Sequence, residues 1–275
     1  MSNVDYSEQE SDRRGNKAFR RAIAAGFVVV VVVIAAVLFF VNRGNDDNDG
    51  ALSGGSDSSN PAEKVDWAGK KADPYGTMVY FPKDTKGQPL SDSSRDYSGD
   101  QTAAASGTPS DTVFETTDFS GGAPIPFSTE DGPTGFDGTV PIGYSKSAAG
   151  AALALGAYLP QVSPVRTTYE EFTQKATVDA TSDSLARAAD RVRDPEDSRA
   201  PRAQGEIEGG AFPLYSVEAF DGDYARIILY NGNDPDRLVA ISGDLRWEDS
   251  TWKLVSSNLV GNASEVPQGA QSWVR

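Results

Sequence analysis

The sequence predicts an α+β fold carried on a membrane anchor: one transmembrane helix, a disordered linker, then helices packed on an antiparallel sheet. Three observations predict it. Residues 22–41 read AIAAGFVVVVVVIAAVLFFV, without one polar side chain. The apolar period is helical between about residues 144 and 192 and changes to near two after Gly210. Helices that precede a run of short strands, rather than alternating with them, imply antiparallel pairing.

The first element is the span. Twenty residues at about 1.5 Å each make a helix of roughly 30 Å, the thickness of a bilayer's hydrocarbon core. Fourteen of them are Val, Ile, Leu or Phe, which together favour insertion by roughly 4 to 8 kcal/mol. The run is too long for a secretory signal and leaves through Phe39-Phe40-Val41-Asn42, without a small-residue cleavage site. Arg13, Arg14, Lys17, Arg20 and Arg21 stand before it, and after it comes Arg43 with Asp46, Asp47 and Asp49. Cations mark the cytoplasmic side, so residues 1–21 are expected to form a cytoplasmic tail and everything after Val41 to lie outside the plasma membrane. Residues 1–41 carry five cations and four anions, which leaves 20 cations against 36 anions, a net of −16, for the exterior part. Such a surface repels nucleic acid.

Residues 42–111 predict a flexible acidic linker. Sixteen of the nineteen residues from 42 to 60 are Asn, Gly, Asp or Ser, too few apolar groups to offset the entropy of ordering. Seventy coil residues would hold the next unit roughly 45 Å from the anchor. An aromatic island interrupts this segment over residues 64–83, where Trp67, Tyr75, Tyr80 and Phe81 gather with Met78 and Val79. Large apolar groups in a polar segment are expected to anchor either a partner's groove or the chain's own domain. These four residues are therefore the candidate partner-binding residues.

Residues 112–275 predict the extracytoplasmic α+β domain. Its first part, 112–143, has Pro124, Pro126, Pro133 and Pro141 among spaced apolar residues, which excludes helix and disfavours a central strand. It should wrap a core as extended chain. A helix is expected after Ser145 as N-cap, through SAAGAALALGAYL, until Pro160 stops it. A second starts at Thr168 with Glu171 completing a capping box. A third runs from about Ser182, with Leu185, Ala188, Ala189 and Val192 at helical spacing.

Strands are expected at 213–220, 224–230, 237–242, 244–247 and 251–256. If Asp249-Ser250 is a two-residue turn, Glu248 faces Thr251, Trp247 faces Trp252, Arg246 faces Lys253 and Leu245 faces Leu254. One face is then Leu-Trp-Trp-Leu and the other charged or polar, so both tryptophans are expected in the core.

The chain has no Cys and no His, which removes disulfides, thiol nucleophiles, imidazole bases and imidazole zinc sites. Ser250-x-x-Lys253 falls in the hairpin turn, without the companion motifs of an acyl enzyme. Residues 45–56 place Asp47, Asp49 and Gly50 in register with a calcium loop, but Asn45 and Ser56 stand where stronger ligands are needed. No phosphate or dinucleotide loop is present. No catalytic, cofactor-binding or metal-ligating residue is expected, and no cofactor.

The stretch Gly243-Asp-Leu-Arg-Trp-Glu-Asp-Ser-Thr-Trp-Lys-Leu254, the segment Val140-Pro-Ile-Gly-Tyr-Ser-Lys-Ser-Ala-Ala-Gly-Ala-Ala152 and the order tail, span, tether, domain together resemble membrane-anchored proteins of actinobacterial conjugative elements. The resemblance covers about residues 135–260. It implies a curved sheet, a cystatin-like cone similar to nuclear transport factor two and to the bitopic scaffold subunit of type IV secretion systems. It supplies no catalytic residue.

The resulting expectation is a non-catalytic, membrane-anchored scaffold or interaction subunit, for which the resemblance implies a conjugation or type IV secretion assembly. Its partners would be the membrane, other membrane or cell-envelope proteins, or a second copy of the chain, with no direct contact to nucleic acid. The alternatives are an extracytoplasmic module that binds a small molecule, lipid or wall fragment in the cone, and a wall hydrolase working through a buried carboxylate pair.

Overall fold

The computed structural model describes residues 65–106, 108–162, 168–178, 207, 209–231, 238–263 and 269–273. Residues 22–41, the candidate calcium loop and the expected third helix lie outside them. No helix among the described residues is long and apolar enough to cross a membrane. The described chain is α+β, with few helices and mainly antiparallel strands.

The described residues form eleven strands: β1 Gly69–Ala72, β2 Met78–Phe81, β3 Val113–Glu115, β4 Ile125–Phe127, β5 Gly135–Asp137, β6 Val140–Ile142, β7 Leu214–Phe220, β8 Tyr224–Asn231, β9 Leu238–Glu248, β10 Thr251–Ala263 and β11 Gln271–Ser272. The helices are α1 Gln101–Ser106, α2 Ala148–Tyr158 and α3 Tyr169–Ala176. An N-terminal sheet has the order β1-β2-β3-β4, a C-terminal sheet the order β10-β9-β8-β7-β11, and β5-β6 form a separate hairpin.

Helix α2 sits between the two larger sheets. Its sequence AAGAALALGAY has no polar face, and a helix apolar all round must be covered all round; all eleven residues are buried. It touches β7, β8, β9 and β10 on one side and β4 on the other. Two glycines set the approach. A Cβ on Gly243 of β9 would lie 2.4 Å from Leu155 Cδ1, and one on Gly156 would lie 2.8 Å from Pro126 Cγ. Trp273 closes the same space, its ring 5.1 Å from Tyr215 and 6.0 Å from Phe114, so it bridges the sheets. The expected cap is displaced by two residues. Ser147 accepts from the Gly150 amide at 3.0 Å, while Ser145 turns its hydroxyl to Asp131.

The β9-β10 hairpin has the expected register, Glu248 with Thr251, Trp247 with Trp252, Arg246 with Lys253 and Leu245 with Leu254. Asp249 and Ser250 both take positive φ, 53° and 62°, as a tight two-residue hairpin turn requires. Trp252 is fully buried, and its indole packs on Trp247 at 5.3 Å and 70°. Its Nε1 donates to Ser145 O, and Tyr158 OH donates to Trp252 O, each at 2.9 Å. The strands expected at 237–242 and 244–247 are one strand, because Gly243 serves close packing under Leu155 and does not break pairing. Register shifts at Leu254/Ser256 and Leu259/Gly261 bend β10.

Two further expectations are corrected. Glu171 makes no capping box: Thr168 offers no side-chain cap, and the carboxylate instead accepts from Thr139 Oγ1 at 2.6 Å and pairs with Lys175. The bond from Thr139 leads the causes that hold Glu171 below its usual carboxylate range. The flexible linker is not continuous to residue 111. The described residues from Val65 to Ser106 belong to the folded unit, because β2 pairs in parallel with β3, and α1 is capped by Asp100, whose carboxylate accepts from the Ala103 amide at 2.9 Å. The prolines do mark borders. Pro126 lies in β4, the edge of its sheet, and Pro141 in the two-stranded β5-β6 hairpin.

Candidate functional site

The four candidate partner-binding residues divide between two places. Trp67 and Tyr80 meet, with ring centroids 5.1 Å apart and tilted by 44°, and Lys70 Nζ stands 5.9 Å from the Tyr80 ring. Both aromatics are half-buried and pack against the main core. Phe81 alternates to the other face of β2, where it is buried opposite Gly69. Tyr75 is separate from these, in the β1-β2 turn, and its ring lies so close to Gly210 that a Cβ there would fall 2.1 Å from Cδ2. All four side chains thus pack on residues of their own domain, with part of the Trp67 and Tyr80 surface left open.

Asp73 fastens that turn. Its Oδ1 accepts from the Tyr75 and Thr77 amides at 2.9 and 2.8 Å, and its Oδ2 from the Ala211 amide at 2.8 Å. Burial raises its pKa, and the amide donors oppose that rise. Asp73-Pro74-Tyr75-Gly76, with Gly76 at φ 87°, is a turn signature legible in the sequence. Its contact with Ala211 is not, since that partner is 138 residues away.

The densest buried polar group lies at the start of α2. Ser145 Oγ donates to Asp131 Oδ1 at 2.7 Å and is 2.7 Å from Ser147 Oγ, while Tyr97 OH donates to the same Oδ1 at 3.2 Å. The Ser145 amide donates to Asp131 O. Ser128 Oγ accepts from the Asp131 amide and donates to Ser110 O. Outside it, Arg95 pairs with Glu130. A hydroxyl on a carboxylate has the outline of a nucleophile with its base, but attack requires a substrate in contact with the oxygen. Ser145, Ser147 and Asp131 are all at most 1% exposed. What the arrangement does in this structure is tie the 95–97, 110 and 128–131 loops to the helix start.

Among the described residues three carboxyls are buried, Asp73, Glu115 and Asp131, and each has its own separate donors. Glu115 has the fewest. One oxygen accepts from the Gln88 amide at 2.8 Å and the other has no partner, and burial pushes its pKa well above the usual carboxylate range. Among the described residues no three side chains of metal-binding type converge.

A family model matches residues 81–275, and the chain belongs to that family, a domain of unknown function, DUF8175. No curated protein and no solved structure matches the chain. The matched region starts at the last residue of β2, so β1 and its turn precede it.

Proposed function

We propose that this protein is a non-catalytic, single-span membrane subunit whose extracytoplasmic domain works by binding other envelope proteins through its outer surface. The observation that carries this reading is the burial of α2. The helix fills the space enclosed by the two sheets with Ala and Leu side chains, so the domain's working surface is its exterior. That filling argues against the alternative of a small molecule or lipid held inside a cone. The anchor is supported by the uninterrupted apolar run and the five cations before it. The absence of His and Cys and the burial of the serine hydroxyls near Asp131 support a role without chemistry.

The finer fold reading belongs here too. A five-stranded antiparallel sheet bent by two register shifts and wrapped on a helix supports a cystatin-like cone, and with it a place in a conjugation or type IV secretion assembly. Photo-crosslinking groups placed in the full membrane-bound chain at Val255 and Val260, both exposed on β10, test the interaction role. Discrete adducts with membrane proteins or with a second copy are expected. A domain that yields no adduct from any outward position is not an interaction subunit.

A further inference from the structure

The acidic excess of the chain is not evenly spread. Five of its nine lysines, Lys64, Lys70, Lys71, Lys83 and Lys86, fall between residues 64 and 86, against three aspartates. One of those three, Asp73, is buried and occupied by amides. Ten Lys and Arg side chains are described, and seven of them hold a carboxylate in an ion pair. The three without one among the described residues are Lys70, Lys71 and Lys86, all exposed and all in this stretch. Lys70 and Lys71 are successive residues of β1, the outer strand of its sheet, so they leave it on opposite sides and flank its open edge. Lys86 follows β2, three residues beyond Lys83, whose partner is Asp66 at the entry to the fold.

Their place in the chain matters as much as their charge. Only 23 residues separate Val41 from Val65. The lysines therefore lie in the first described segment after the apolar run, on a chain whose part beyond Val41 is otherwise strongly acidic. A negatively charged bilayer would attract this end and repel the rest, and the two forces together would orient the domain.

We propose that Lys70 and Lys71, at the open edge of β1, and Lys86, just beyond β2, contact the anionic phospholipid headgroups of the membrane that holds the anchor; this rests on the reading of residues 22–41 as a span. The contact sets the domain's height above the bilayer.

The absence of native Cys permits a single dye on a Met78→Cys variant of the full chain. The chain is reconstituted into vesicles of phosphatidylcholine alone or mixed with phosphatidylglycerol, with an acceptor dye on the headgroups. Energy transfer should be about twofold higher in the anionic vesicles and fall to the neutral level in high salt. The combined Lys70→Gln, Lys71→Gln, Lys86→Gln variant should show the neutral level in both. Equal transfer in the two vesicle types would overturn the proposal. If the lysines serve only to keep the β1 edge from pairing with another chain, the triple variant will form larger oligomers with its transfer unchanged, which also defeats it. Flotation keeps the two readings apart: a chain that floats with neither vesicle type lacks the anchor, whereas one that floats with both but shows equal transfer lacks only the lipid contact.

Discussion

Glu115 is the residue whose chemistry departs furthest from its surroundings. It lies on β3 between Tyr80 of β2 and Ile125 of β4, with one amide donor and an unpartnered oxygen. Burial raises its pKa well above the ordinary 4.5, so the folded state keeps the proton while the unfolded chain loses it. Stability should therefore fall as pH rises from about 4.5 towards the folded-state value, by about 1.4 kcal/mol for each pH unit in which the two states differ by one proton. Urea midpoints measured from pH 5 to 8 should decline in the parent chain, and Glu115→Gln should remove that part of the slope. Identical slopes would show that the carboxyl is hydrated. Trp252 tests packing at the same scale. It is fully buried, and both its indole nitrogen and its carbonyl are bonded, so Trp252→Ala should cost about 3 to 5 kcal/mol in denaturant unfolding. An unchanged midpoint would contradict the burial.

At the level of elements, legibility followed the range of the contacts. The β9-β10 hairpin could be read because its turn, its charged face and its tryptophans lie within twelve residues. Helix α2 was readable from its apolar run and Pro160, but its cap moved from Ser145 to Ser147 because Asp131, fourteen residues upstream, claims the Ser145 hydroxyl. Gly243 misled as a strand break, since nothing local announces Leu155 above it. The largest misreading was residues 65–111. Their composition is that of a linker, yet they are ordered by partners far along the chain, Ala211 for Asp73, Glu115 for Gln88 and Asp131 for Tyr97. The aromatic island follows from this. Replacing Trp67, Tyr75, Tyr80 and Phe81 together by Ser should lower the thermal midpoint by many degrees, because Phe81 is buried and Tyr75 covers Gly210. A midpoint within a degree or two of the parent would return these residues to the role of free anchors. Asp73→Ala leaves three amides without their acceptor, two of them in buried bonds. Each unpaired group costs about 1 to 3 kcal/mol, which should appear as earlier hydrogen exchange at Tyr75, Thr77 and Ala211.

For the whole molecule, the described fold starts at Val65, its interior is filled by α2, and the lysines without a carboxylate partner among the described residues fall close to that start. We propose that this unit is displayed outside a membrane crossed once by residues 22–41. Protease added to intact spheroplasts that carry the full chain tests that claim most directly. The account predicts that the C-terminal domain is removed while a protected fragment containing Phe19 remains with the membrane. A C-terminal domain protected until the membrane is permeabilised would contradict it.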